Sequence, residues 1–300
     1  MRRSLIPECF YRESKQDKIL VIDSRFRGND IFDLFFMLKC RAIAIVLAMT
    51  IFILYSSTAA NAATLEESFW DSKQSTHFTV YYKSTESNDY VNEVLRYAEK
   101  YYDNITEELG FRRFDFWTWE KACKIYLYAT AKEYYDSTGQ PEWSGATAYL
   151  KERTIRTFIR REMFLDTILP HEMAHLIFRE FVGYKVPLPL WLDEGVSSLM
   201  ENNKRKEYLF LAKSLAKSQI FIPLPKLTRI VREGLVMPGV FYAESASVIE
   251  FLLQKYGREK FVDYCRRLRD NKNWELSLKE AYKFKDLSEM NDKWLEFLLQ

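Results

Sequence analysis

The 300-residue chain carries 44 basic and 42 acidic residues, a net charge of +2, and 48% of it is hydrophobic. Nine of the basic and six of the acidic residues precede residue 63, so the remainder holds 35 against 36, a net of −1, and offers no electrostatic footprint for nucleic acid. From residue 63 onward the length suits one domain with a helical appendage.

Residues 1–36 fit neither a signal peptide nor a domain. The stretch VIDSRFRGND resembles a translated dispersed repeat and points to Met37 as the start. Residues 42–55, AIAIVLAMTIFILY, follow Lys39 and Arg41 and precede an A-x-A exit at Ala60–Ala62, so residues 37–62 read as a cleaved secretory signal. The expected location is periplasmic or extracellular. A spanning helix needs about 20 apolar residues, which leaves a permanent anchor over residues 42–57 as the second reading and the only case in which the membrane is a partner. Cys9 and Cys40 fall in this leader; Cys123 and Cys265 remain, either as a disulfide or as two buried thiols.

HFTVYY, residues 77–82, has the β-branched and aromatic character of a strand. Residues 88–109 carry an apolar stripe at Val91, Val94, Leu95, Ala98, Tyr101, Tyr102 and Ile105, a helix stopped by Gly110. Lys124 to Tyr128 reads as a second strand, and Tyr149 and Thr154 to Ile159 as further strands. A helix over Glu162 to Val182 offers Met163, Ile168, Leu176 and Phe178 to the core. Pro170 forces that helix either to bend just before His171 or to start there. After the break at Gly183 to Pro189, a helix is expected from about Asp193 to Lys217, then helices over Tyr242–Tyr256, Arg258–Arg269 and Glu289–Leu299.

The chemistry sits in HEMAH. His171 and His175 lie four apart on one helical face, so two imidazoles can meet one ion, with Glu172 flanking the same spot. A catalytic zinc takes three protein ligands and keeps a fourth position open. Histidine is nearly excluded as the third, because the chain has only three and His77 lies far upstream, so a carboxylate is the better candidate. Glu194, eighteen residues beyond His175 in WLDEG, is the candidate, and its position in a first helical turn suits a carboxylate. Asp193 and Ser198 are candidates to orient the histidines, with a solvated helix start as the plainer explanation.

These residues resemble the gluzincin metallopeptidases, and Trp191, Leu192, Glu194 and Gly195 look most like the aminopeptidase-type branch and its small peptidase MA-like relatives. The similarity spans roughly residues 76–300 and is specific over 171–195. It implies an α+β, zincin-like fold: a small mixed sheet packed on the metal helix and the ligand helix, with residues 63–240 as the catalytic domain and 241–300 as a helical region completing it. It implies a Zn2+ cofactor held by His171, His175 and Glu194, Glu172 as general base, and peptide or protein as substrate. In gluzincins the strand beside the cleft pairs with substrate backbone, a role expected here for Thr154 to Arg160. Tyr242, in FYAES, resembles the tyrosine that such domains aim at the oxyanion; core packing is the alternative. The large aminopeptidases carry a GAMEN segment whose glutamate holds the substrate amine. Gly145 to Tyr149 reads GATAY, with Ala148 in that place, which tilts the expectation toward an endopeptidase. The rival classes are a zinc-binding envelope protein without turnover and a membrane-anchored structural protein with an accidental HExxH.

Overall fold

The computed structural model describes residues 70–83, 88–111, 121–142, 144–159 and 163–300. The leader, the signal-like stretch, Arg160 and Glu162 lie outside them. No helix among the described residues is long and apolar enough to cross a membrane.

The first half is a five-stranded mixed sheet. Its strands are β1 (Asp71–Gln74), β2 (Phe78–Tyr82), β3 (Cys123–Tyr128), β4 (Ala146–Tyr149) and β5 (Thr154–Phe158). They lie in the order β1-β2-β3-β5-β4, with β2, β3 and β5 parallel and both edge strands antiparallel to their neighbours. Alternation along the central strands sends Phe78, Val80, Cys123, Ile125, Leu127 and Ile155 to one buried face. Helix α1 (Asn88–Leu109) packs there, burying the stripe read from its sequence, and ends where Gly110 takes φ +78°.

This order corrects the strand assigned to substrate. Thr154–Phe158 is paired on both sides, so its backbone has no hydrogen bonds to offer; β4 is the edge on that side. The edge strand is only four residues long and is pinned from the far face by α2 (Ala131–Thr138), whose buried Tyr134 hydroxyl meets Thr147 Oγ1 at 2.8 Å and Ser144 Oγ at 3.1 Å.

A π turn over Phe164–Ile168 leads into α3 (Leu169–Val182). Pro170 explains the turn. Lacking an N–H, it cannot continue an ordinary helical ladder, and the widened turn, with Leu169 N–H donating to Phe164 C=O, lets the chain pass without a break. The α-helix starts at Leu169 with Pro170 in its first turn, which is the second of the two expected solutions, and the His171–His175 turn is regular α-helix.

The expected long ligand helix is two. α4 (Leu190–Leu199) ends and α5 (Arg205–Lys217) restarts, because Met200 and Glu201 bond back three residues rather than four and two asparagines, Asn202 and Asn203, follow. A short α6 (Leu224–Leu227) and a 3₁₀ turn at Arg232–Gly234 precede α7 (Pro238–Tyr256), α8 (Arg258–Asn271), α9 (Trp274–Tyr282) and α10 (Leu287–Leu299). Every residue of α7 from Phe241 to Leu253 is buried, so it is the central helix of this half, and α4 is packed against it. Cys123, on β3, and Cys265, on α8, are buried free thiols, not a disulfide.

One buried charge on α7 makes stability depend on pH. Glu244 accepts from Ile222 N–H at 3.0 and 3.1 Å, and burial, only partly offset by that bond, pushes its carboxyl up from 4.5 to about 7. The folded state holds this proton more tightly than the unfolded chain, so the stabilisation is whole below about pH 4.5 and is lost as pH rises through about 7, at about 1.4 kcal/mol per unit. Thermal midpoints measured across this window should fall for the wild type, and Glu244→Gln should flatten that part of the profile.

Candidate metal centre

α3 delivers both imidazoles. His171 and His175 are one turn apart and buried, and their Nε2 atoms lie 3.2 Å from each other. Each Nδ1 faces a carboxylate: Glu201 Oε1 at 2.8 Å from His171 and Asp193 Oδ1 at 3.1 Å from His175. A carboxylate only accepts, so each ring proton sits on Nδ1 and each Nε2 presents a lone pair. Two lone pairs held face to face call for a cation between them.

α4 supplies the third donor. Glu194 Oε2 stands 3.6 Å from His171 Nε2 and 3.7 Å from His175 Nε2, too far for hydrogen bonds, and is buried with no hydrogen-bond partner among the described residues. Around a tetrahedral zinc with ligands at about 2.0–2.2 Å, donor atoms sit about 3.3–3.6 Å apart. The His171, His175 and Glu194 triangle has the size of one face of that tetrahedron, so these residues fit the ion.

Charge leads the same way. Glu172, Asp193, Glu194 and Glu201 are all buried here, against one buried guanidinium, Arg179, with Arg232 and Lys204 reaching in from the rim. Buried carboxylates in excess of cations are costly, and a divalent ion offsets them. Burial acts to raise the Asp193 carboxyl, but Arg179, bonded to it at 2.7 and 3.1 Å, and His175 outweigh that and hold it well below the usual range. Glu194 behaves alike: burial would raise it, and His171, His175 and Arg232 hold it down.

The structure brings His171, His175 and Glu194 together and puts Asp193 on His175 as an orienting partner. Ser198 takes no such part; its buried Oγ has no hydrogen-bond partner among the described residues. His77 lies apart, 2.6 Å from Glu99 and stacked on Tyr102 at 4.1 Å between ring centroids. Tyr242 is buried on α7, edge-on to Phe241 and one turn before Ser245, the residue that touches α4. Three participants escaped the sequence reading. Arg179 continues the 171–175 spacing by one more turn and was legible by period. Glu201 follows Glu194 at seven residues, two turns on, but lies past the end of α4. Arg232 carries no local signal at all.

A family model described as the peptidase MA superfamily matches residues 117–300. The chain belongs to that superfamily. His171, His175 and Glu194 are a donor set of the gluzincin kind, and the mixed sheet beside the metal helix, with the ligand helix packed on that helix, is the zincin-like α+β arrangement expected. No curated protein matches the chain. Among solved structures, it is similar to a mutant M1 zinc metallopeptidase from Deinococcus radiodurans, at 15% identity and a TM-score of 0.42 over 74% of this chain. The match covers 49% of that protein, so this chain spans about half its length.

Gly195, next to the ligand, lets α4 touch α7 backbone to backbone: a Cβ there would stand 2.7 Å from Ser245 O and 3.1 Å from Ile249 Cγ1. Gly195→Ala should therefore cost about 1–3 kcal/mol through overpacking, a fall of roughly 3–10 °C in thermal midpoint by circular dichroism. An unchanged midpoint would mean that the helices do not meet at this point.

Proposed function

We propose that the protein is an exported zinc-dependent metallopeptidase that hydrolyses peptide bonds with Glu172 as general base. The observation that carries this is the buried triangle of two Nε2 lone pairs and one partnerless carboxylate oxygen, with Glu172 on the same helical turn. Two imidazoles and one carboxylate are the donor set of a hydrolytic zinc site, in which the bound ion polarises the scissile carbonyl and brings the pKa of a water toward about 7.

The rest of the work falls to the chain. Glu172 accepts the proton of the attacking water and passes it to the leaving amine, a role that a carboxylate one residue from a ligand is placed to perform. Asp193 and Glu201 hold the two rings in the tautomer that leaves Nε2 available. β4, the edge strand beside α3, has no strand partner on its outer side among the described residues and offers its backbone for substrate to join by strand addition, in place of the interior strand first assigned that role. Ala148, paired with Ile155 on the face of β4 turned to the helices, brings no carboxylate to a substrate amine, which supports an endopeptidase over an aminopeptidase. Tyr242 is proposed as a further oxyanion donor, supported by its place on the helix packed against α4. Residues 42–62 support export.

The test compares the full chain with Glu172→Gln on a mixed peptide library, with zinc content measured in both. The variant should keep its zinc and lose about 100-fold or more in kcat/KM. A chelator should silence the wild type, and zinc should restore it. Equal cleavage by wild type and variant would end the general-base assignment.

A further inference from the structure

Each of the three ligands is gripped on the atom it does not offer to the ion. For the histidines the grip is Glu201 and Asp193; for Glu194 it is Arg232, whose Nη2 donates to Oε1 at 2.6 Å while Oε2 faces the two imidazoles. A charge-assisted bond this short is among the stronger polar contacts a protein makes. Its origin sets it apart from the other two. Arg232 comes from the 3₁₀ turn between α6 and α7, a segment with Val231 and Val236 in solvent, and its own side chain is 28% exposed while that of Glu194 is 1% exposed. One guanidinium thus reaches from the surface to a buried ligand.

A carboxylate can ligate through one oxygen or two. A second oxygen on the ion would fill the position that water and substrate need, and hydrolytic sites depend on that position staying open. We propose that Arg232 is a positioning residue that keeps Glu194 a single-oxygen ligand and so keeps a coordination position open for the reaction. The inference rests on the metal-centre reading above. The guanidinium proton donated to Oε1 draws that oxygen away from the ion and sets a positive charge behind it, so Oε1 approaches the ion only at the cost of this bond, which a lysine point charge would hold less rigidly.

The test uses Co2+ in the full chain, because visible absorption of bound Co2+ weakens as its coordination number rises. Wild type, Arg232→Met and Arg232→Lys are loaded with Co2+, their spectra recorded and their affinities measured by chelator competition. The expected result is an intensity roughly two-fold or more lower in Arg232→Met, from the added oxygen, with intermediate intensity in Arg232→Lys. Co2+ should be held by Arg232→Met at least as tightly as by wild type, since a repelling charge has gone and a donor has been gained, while kcat drops. A residue that merely supported the fold would do the reverse, weakening Co2+ binding and leaving the spectrum of the bound fraction unchanged. An unchanged spectrum in both variants overturns the proposal while leaving the metal centre intact. Failure of the wild type itself to bind Co2+ would overturn the metal-centre reading and this proposal with it. Should Arg232→Met fail to fold, the spectrum of Arg232→Lys decides by the same criterion.

Discussion

The structure around the site depends on one unfavourable contact: two imidazole nitrogens and a carboxylate oxygen, buried within 3.7 Å of one another. A fold holds such a cluster only if its surroundings over-determine it. Here they do, through Glu201 and Asp193 behind the rings and Arg179 behind Asp193, which also donates to Val186 C=O at 3.1 Å and so ties the metal helix to the link that follows it. The electrostatic cost of the cluster is what makes a cation welcome there, and the polar frame keeps the donors from turning away when the cation is absent.

That frame explains features of the fold that propensity does not. α4 is buried along nearly its whole length although it carries Asp193, Glu194, Ser197 and Ser198, an expensive composition for an interior helix. It is tolerable because each carboxylate has a cationic or imidazole partner. Gly195 then lets α4 settle onto the backbone of α7, which is where the C-terminal half enters the site. α7 is the reason the helical region matters chemically. Its buried side chains form the floor on which the ligand helix rests, so residues far beyond the motif help to set the height of Glu194 above the histidines.

How much of this was legible in the sequence follows from how local each signal is. HEMAH and its glutamate were readable because four-residue spacing on a helix is a geometric statement in itself, and α1 was readable because one apolar stripe buries one face. Strand order was not. Thr154–Phe158 and Ala146–Tyr149 are both short and mixed in polarity, and nothing in either says which one the chain places outermost. The break after Leu199 was hidden because Met200 and Glu201 are good helix formers; it is the following asparagines and the pull of His171 on Glu201 that favour leaving the helix there. Arg232 was hidden for a different reason. Its partner is 38 residues away, and a lone arginine in an apolar connection looks like solubility.

The contrast between the ligands' three grips bears on how the site could be tuned. Glu201 and Asp193 belong to α4 and the turn directly after it, buried elements whose movement against α3 would break both ring contacts at once. Arg232 belongs to a surface connection with few buried neighbours, whose opening costs less than that of a packed helix. The carboxylate ligand is therefore the one of the three whose environment can change without disturbing the core. If any part of the metal centre responds to what lies in the cleft, physical economy places the response at Glu194 and its guanidinium, and leaves the two histidines as the fixed frame against which that response is measured.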